Sequence, residues 1–167
     1  MFKEGEYVVY KRDVCKILEI RKNHLNGKDY YILVPITDES LKIDVPTDNR
    51  LGNIRPWITQ KDVTSLIKRI PSIEVVNTVN KMIENDYRAL INDGTHESLI
   101  KIIKTTYLRN KERADNKRKI GDKDEYYFKL AEKYLYNELS IVLNMSFENT
   151  KNYIIQEVEK IDKNDKK

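Results

Sequence analysis

The chain has 167 residues, with 31 Lys and Arg against 27 Asp and Glu for a net charge of +4, and is 40% hydrophobic. That is enough for one medium domain or two small ones, and with only 5 glycines and 4 prolines long regular elements are expected, not a disordered chain. No window approaches the roughly 18 apolar residues of a membrane span, the start has no signal-peptide shape, and the lone Cys15 rules out an intramolecular disulfide, so a cytoplasmic protein is expected.

The first 58 residues read as strands. "EYVVY" (6–10), "VCKILEI" (14–20), "DYYILVPI" (29–36), "LKIDVP" (41–46) and "NIRPWI" (53–58) are short β-branched or aromatic runs. In the second, Val14, Lys16, Leu18 and Ile20 share one face and Cys15, Ile17 and Glu19 the other, a period of two. Turn chemistry separates the runs, most clearly the Asn-Gly pair of "NHLNGK". Five short strands in under 60 residues predict a small, strongly bent barrel or half-barrel. Cys15 is expected to pack there as a small apolar residue.

From Thr59 the period becomes helical. "TQKD" (59–62) starts a helix through Val63, Leu66, Ile67 and Ile70 that Pro71 ends. Val79, Ile83, Tyr87, Leu90 and Ile91 form a second apolar stripe, and Thr95 caps a third helix. Asp122 to Glu125 resembles a capping box ahead of Phe128, Ala131, Leu135, Leu139 and Val142, and Ser146 opens a last helix with Tyr153, Ile154 and Val158. The predicted fold class is therefore α+β in two modules: strands over 1–58, an all-α bundle of about five helices over 59–160, and a frayed charged tail over 161–167.

The positive charge sits in one window. Residues 101–119 hold eight Lys and Arg against Glu112 and Asp115, a local +6, whereas the rest of the chain is close to neutral. If the third helix runs through residue 118, Lys101, Lys104, Lys111 and Arg118 fall near one face. "NKRKIG" then reads as a loop tip from which Lys117, Arg118 and Lys119 reach phosphates. Such contacts give salt-dependent binding that is nearly blind to sequence. The alternative is a solvated helix end that complements its dipole. Neither His24 nor His96 stands at metal-ligand spacing, and no phosphate loop or nucleophile elbow is present. Acidic pairs such as Asp122/Asp124 and Glu84/Asp86 read as caps and solvated faces. No enzyme, metal or cofactor is expected.

"FKEGEYVVYKRDVCKILEI", followed in order by "DYYILVPI", "VPTDN" and "IRPWIT", resembles the opening of the CarD/CdnL family of bacterial transcription regulators, an opening shared with the polymerase-binding module of transcription-repair coupling factor. "IIKTTYLRNKER" and "YYFKLAEKYLYNELSIVLNMS" are similar to the C-terminal part of clostridial-type members. The resemblance implies a Tudor-like β module that grips the RNA polymerase β-subunit lobe, and a helical module that contacts promoter DNA at the upstream edge of the bubble. It implies a monomer that stabilises the open complex, held at the nucleoid through the polymerase.

Carried onto this chain, the resemblance places the polymerase contact at Arg21, Lys22, Asn23, Lys42 and Asp44. The resemblance places a DNA contact at Asn77, and with the basic window Lys101, Lys104, Arg109, Arg113, Lys117, Arg118 and Lys119 are expected to meet promoter phosphates, so that the contact falls on backbone and minor groove. Asp44 stands where many members carry an arginine. Asn77 stands where many carry a tryptophan that wedges into the minor groove. The only tryptophan, Trp57, is expected to pack. A protein-interaction adaptor that binds polymerase without touching DNA is the alternative reading.

Overall fold

The aromatic and β-branched runs become five strands: β1 (Tyr7–Tyr10), β2 (Asp13–Leu25), β3 (Lys28–Pro35), β4 (Ile43–Pro46) and β5 (Ile54–Arg55). In the computed structural model, which describes residues 1–167, they form one antiparallel sheet in the order β4-β3-β2-β1-β5. The chain divides into two units, Met1–Trp57 and Ile58–Lys167. The first is the Tudor-like β module and the second is all-helical.

Asn26 and Gly27 both have positive φ and join β2 to β3 as a two-residue hairpin closed by the Leu25–Lys28 pair. The expected alternation along β2 holds only as far as Ile17. Cys15 and Ile17 are fully buried, but the register shifts between Ile17 and Glu19, which leaves Leu18 as an exposed bulge. One extra residue exchanges the faces, so beyond the bulge the even-numbered Ile20 packs on the core. That core is built from Val8, Cys15, Ile17, Tyr31, Leu33, Val45 and Ile54. The predicted strand over 53–58 contracts to two residues, because Pro56 has no N–H to continue the ladder.

The helical unit contains α1 (Gln60–Arg69), a 3-10 turn (Ile70–Ser72), α2 (Ile83–Asp93), α3 (His96–Asp115), α4 (Asp122–Leu143) and α5 (Phe147–Asp165). Thr59, Thr95 and Ser146 cap α1, α3 and α5, each accepting a backbone N–H three residues on. Gly94 ends α2 in the left-handed conformation. The core joins all five helices through Val63, Leu66, Tyr87, Ile102, Leu135 and Ile154.

Four expectations change here. Val79 is exposed in the turns before α2, so the second stripe begins at Ile83. α3 stops at Asp115 and does not reach residue 118. α4 starts one residue earlier than the Asp122–Glu125 capping box implies: Gly121, which has no side chain to cap with, holds the cap position and Asp122 is already helical. α5 continues to Asp165 in place of a frayed tail from 161: Ile154, Val158 and Ile161 extend one apolar stripe onto the core.

Candidate functional site

Of the five singled-out residues of the β unit, Arg21, Lys22 and Asn23 lie toward the β2–β3 hairpin, Asp44 lies level with Glu19, and Lys42, just before β4, lies further along toward the opposite end. Arg21 pairs across β3 with Tyr30, and Tyr30 with Pro46; Asp44 pairs with Ile32, and Ile32 with Glu19. β4 is an edge strand, so Asp44 and the preceding Lys42 are exposed. The charges are largely tied to near neighbours. Arg21 pairs with Glu19 at 2.5 Å, Lys22 with Asp29 at 2.8 Å, and His24 Nε2 with Asp44 Oδ2 at 3.1 Å. Asn23 takes a positive φ and donates its backbone N–H to Asp29. The Lys22 hydrogen bond holds the Asp29 carboxyl below its ordinary range. The result is a polar surface on which Arg21 and Lys22 each sit beside a carboxylate and Asp44 sits beside His24.

The rest of the β unit explains the motif order seen in the sequence. Phe2 sets its ring edge-on to Tyr31 at 6.2 Å. Glu4 accepts the N–H of Ile20 at 2.8 Å, just past the bulge, so the N-terminal segment closes over β2. In "VPTDN", Asn49 adopts a positive φ and clasps β5 from both sides: it donates to the Ile54 carbonyl (2.8 Å) and accepts the Ile54 N–H (3.1 Å). Trp57 is exposed, not part of the core, and stacks on the likewise exposed Tyr7 at 5.8 Å.

The basic window does not form the single charged face expected from its spacing. Lys104 is turned inward, where its ammonium donates to the carbonyls of Ile70 (2.9 Å), Pro71 (3.3 Å) and Ile73 (2.6 Å). It thereby caps the 3-10 turn, and burial lowers its pKa. Arg109 and Arg113 converge on Asp124, which is only 2% exposed. Arg109 Nε donates to both carboxylate oxygens (3.0 and 3.2 Å) and its Nη1 to the Thr78 carbonyl; Arg113 Nη1 donates to Asp124 Oδ2 and to Asn110 Oδ1 (2.7 Å). Tyr87, fully buried, donates its hydroxyl to Asp124 Oδ1 at 2.7 Å.

Burial alone would raise the Asp124 pKa, but the Tyr87 hydroxyl and the two guanidiniums outweigh it and hold the carboxyl below its ordinary range. The same burial and the adjacent carboxylate push the Tyr87 phenol up. The sequence pattern predicts Asp124 as a cap or a solvated residue; it is instead the buried centre of a polar cluster. The capping-box pattern is local, whereas the arginines lie 15 and 11 residues earlier.

This cluster fixes the turn after α3. Lys117 takes a positive φ, the Arg118 N–H closes the helix end on the Arg113 carbonyl (2.7 Å), and the Gly121 N–H reaches Asn110 Oδ1 at 3.2 Å. Lys111, Lys117, Arg118 and Lys119 are exposed, and Lys101 is half-buried. Arg109, Glu112, Arg113 and Arg118 also edge a polar recess of about 200 Å³ beside Val79. Asn77 is exposed, and its side-chain oxygen accepts the Val79 N–H at 3.2 Å. The large apolar side chains this segment exposes are Val79 (81%) and Met82 (64%). No helix is long and apolar enough to cross a membrane.

Residues 2–58 match a family model described as the CarD-like/TRCF RID domain, an RNA polymerase-interacting domain, over the whole of the five-stranded sheet. Among curated proteins there is no match.

Proposed function

We propose that this chain is a non-enzymatic transcription regulator, which holds the RNA polymerase β-subunit lobe through its β unit and contacts promoter DNA at the upstream edge of the bubble through its helical unit, stabilising the open complex. The family match over residues 2–58 carries the polymerase half of this reading. The contact is assigned to Arg21, Lys22 and Asn23 on β2 and to Lys42 and Asp44 at β4. Its local pairs of opposite charge, Arg21 with Glu19 and Lys22 with Asp29, favour a partner surface of complementary charge, as an electrostatically specific interface requires.

The DNA half rests on the exposed Lys111 and the exposed tip Lys117–Lys119, of which Arg118 also edges the recess. Arg109 and Arg113 serve as the frame of that surface, since Asp124 binds both. Val79, beside the arginines, and the exposed Met82 supply the apolar side chains that a minor-groove wedge needs where Asn77 does not. Binding of this kind reads duplex shape and deformability more than base identity.

The test is the lifetime of open complexes formed by the cognate holoenzyme, with and without the protein, across a salt series. The protein is expected to lengthen the lifetime at low salt and less so at high salt. Replacing Lys117, Arg118 and Lys119 by Ala removes up to three phosphate contacts, and should flatten the log–log salt slope by about 2–3 while leaving β-lobe binding unchanged. An unchanged slope removes this tip from the mechanism. Because Asn77 offers a polar amide where an aromatic wedge would sit, a second reading is an adaptor without DNA contact. Unaltered lifetimes despite β-lobe binding would select it.

A further inference from the structure

The helical unit contains a cavity of about 450 Å³ between the 3-10 turn, α3, α4 and α5. Its lining is almost wholly apolar: Ile100, Leu135, Tyr136 and Ile154 are buried at its floor, and Tyr107 and Ile155 are exposed at its mouth. The volume falls in the range of small-molecule sites. Each cation on its wall is already satisfied from within. Lys151 donates to both Glu132 carboxylate oxygens at 3.1 Å and lies over the Phe128 ring, and Lys104 is spent on its three carbonyls. Glu159, exposed at the rim, adds negative charge. An anionic ligand therefore finds no counter-ion.

One polar group remains uncommitted. Tyr136 is 5% exposed and lines the cavity, yet its hydroxyl has no hydrogen-bond partner in the protein; its ring is held edge-on by Phe147 at 5.7 Å. The hydroxyl retains a small exposure to water and has no partner in the protein, so it is available to donate to an oxygen on a bound molecule. Burial and the Glu132 carboxylate raise the Tyr136 pKa, so the hydroxyl stays protonated and free to donate at neutral pH.

We propose that this cavity binds a small, uncharged, mainly apolar molecule with a single hydrogen-bonding oxygen, of the size of a bicyclic phenol, its oxygen on Tyr136 and its rings among the isoleucines. Binding there is independent of the polymerase and DNA readings and is tested on the protein alone.

The experiment is calorimetric titration of the full chain with three probes of one shape: 1-naphthol, naphthalene and 1-naphthoate. 1-Naphthol is expected to bind one site with a Kd on the order of 100 µM, from its size and ordinary ligand efficiency. Naphthalene should bind about 5-fold more weakly, for want of one hydrogen bond, and naphthoate at least about 10-fold more weakly. Tyr136→Phe should bring 1-naphthol down to the naphthalene value and leave naphthalene unchanged. Ile155→Trp, at an exposed mouth position, should abolish binding of both without altering the circular dichroism spectrum. Absence of saturable binding by 1-naphthol overturns the proposal and leaves the cavity to apolar side chains of a partner. Equal 1-naphthol affinity in Tyr136→Phe, binding unaffected by Ile155→Trp, or naphthoate binding as tightly as 1-naphthol would each overturn it as well.

Discussion

Replacing Asp124 by Ala removes the acceptor on which three donors converge. Tyr87 is left as a fully buried hydroxyl, and Arg109 and Arg113 as guanidiniums on side chains that are 18% and 26% exposed. Breaking a buried charge pair from one side costs about 3–5 kcal/mol, and an orphaned hydroxyl about 1–3 kcal/mol. The arginines keep some contact with water, and retain Thr78 and Asn110 as partners, so the lower end applies: a loss of about 3 kcal/mol. For a unit of this size that is a fall in Tm of roughly 10–15 °C.

Asp124→Asn keeps an acceptor for Tyr87 but not the charge, and should lose about half as much. The native carboxyl is held below its ordinary value, so the ionised form is favoured by the fold. Its contribution is complete above the unfolded carboxyl's pKa of about 3.9 and disappears as the pH falls through the lower folded value. Urea unfolding followed by circular dichroism between pH 7 and pH 3 measures both effects. The stability of wild type should fall more steeply below pH 4 than that of Asp124→Asn. A loss under about 1 kcal/mol for Asp124→Ala, or identical acid limbs for wild type and Asp124→Asn, would refute the assignment of this cluster as the tether of the α3–α4 connection.

Gly121 has ordinary dihedrals, but a Cβ there would stand 2.6–2.9 Å from the Arg113 guanidinium, so Gly121→Ala should displace that arginine and cost about 1 kcal/mol. The cost should vanish in an Arg113→Ala background, and additivity of the two changes in a denaturation cycle would contradict the contact. Asn49→Ala removes both hydrogen bonds to the buried Ile54 backbone and should destabilise the β unit by about 2 kcal/mol; Asn49→Gly, which restores only the backbone conformation, should recover little of it. Cys15 is fully buried and its thiol is pushed up to about 12, by burial first and by Asp13 second. It should resist a disulfide reagent at pH 8 in the native protein and react promptly in urea, whereas native labelling within minutes would mean that the β core opens.

The sequence by itself determined the features that a few neighbouring residues decide. The Asn26-Gly27 hairpin, the caps Thr59, Thr95 and Ser146, and the change of period from two to 3.6 each depend on backbone conformation or hydrogen bonds within three or four positions. The likeness of the first unit to an RNA polymerase-interacting domain was legible for a related reason: "VPTDN" and the Phe2 opening are short stretches whose roles, the Asn49 clasp and the Phe2–Tyr31 contact, are fixed by the fold that the motif order signals.

Only the tertiary structure decided the features that lie at long range. The Leu18 bulge follows from pairing with β3, and no count along β2 reveals it. Ile161 extends a helix because a core is there to receive it, although the composition around it reads as a solvated tail. The basic window divides in the same way. Lys104 turns in toward carbonyls more than thirty residues earlier, Arg109 and Arg113 turn in toward Asp124, and Lys117–Lys119 stay out. Charge is a property of the residue, but whether that charge meets water or a buried partner is set by which helices pack against it.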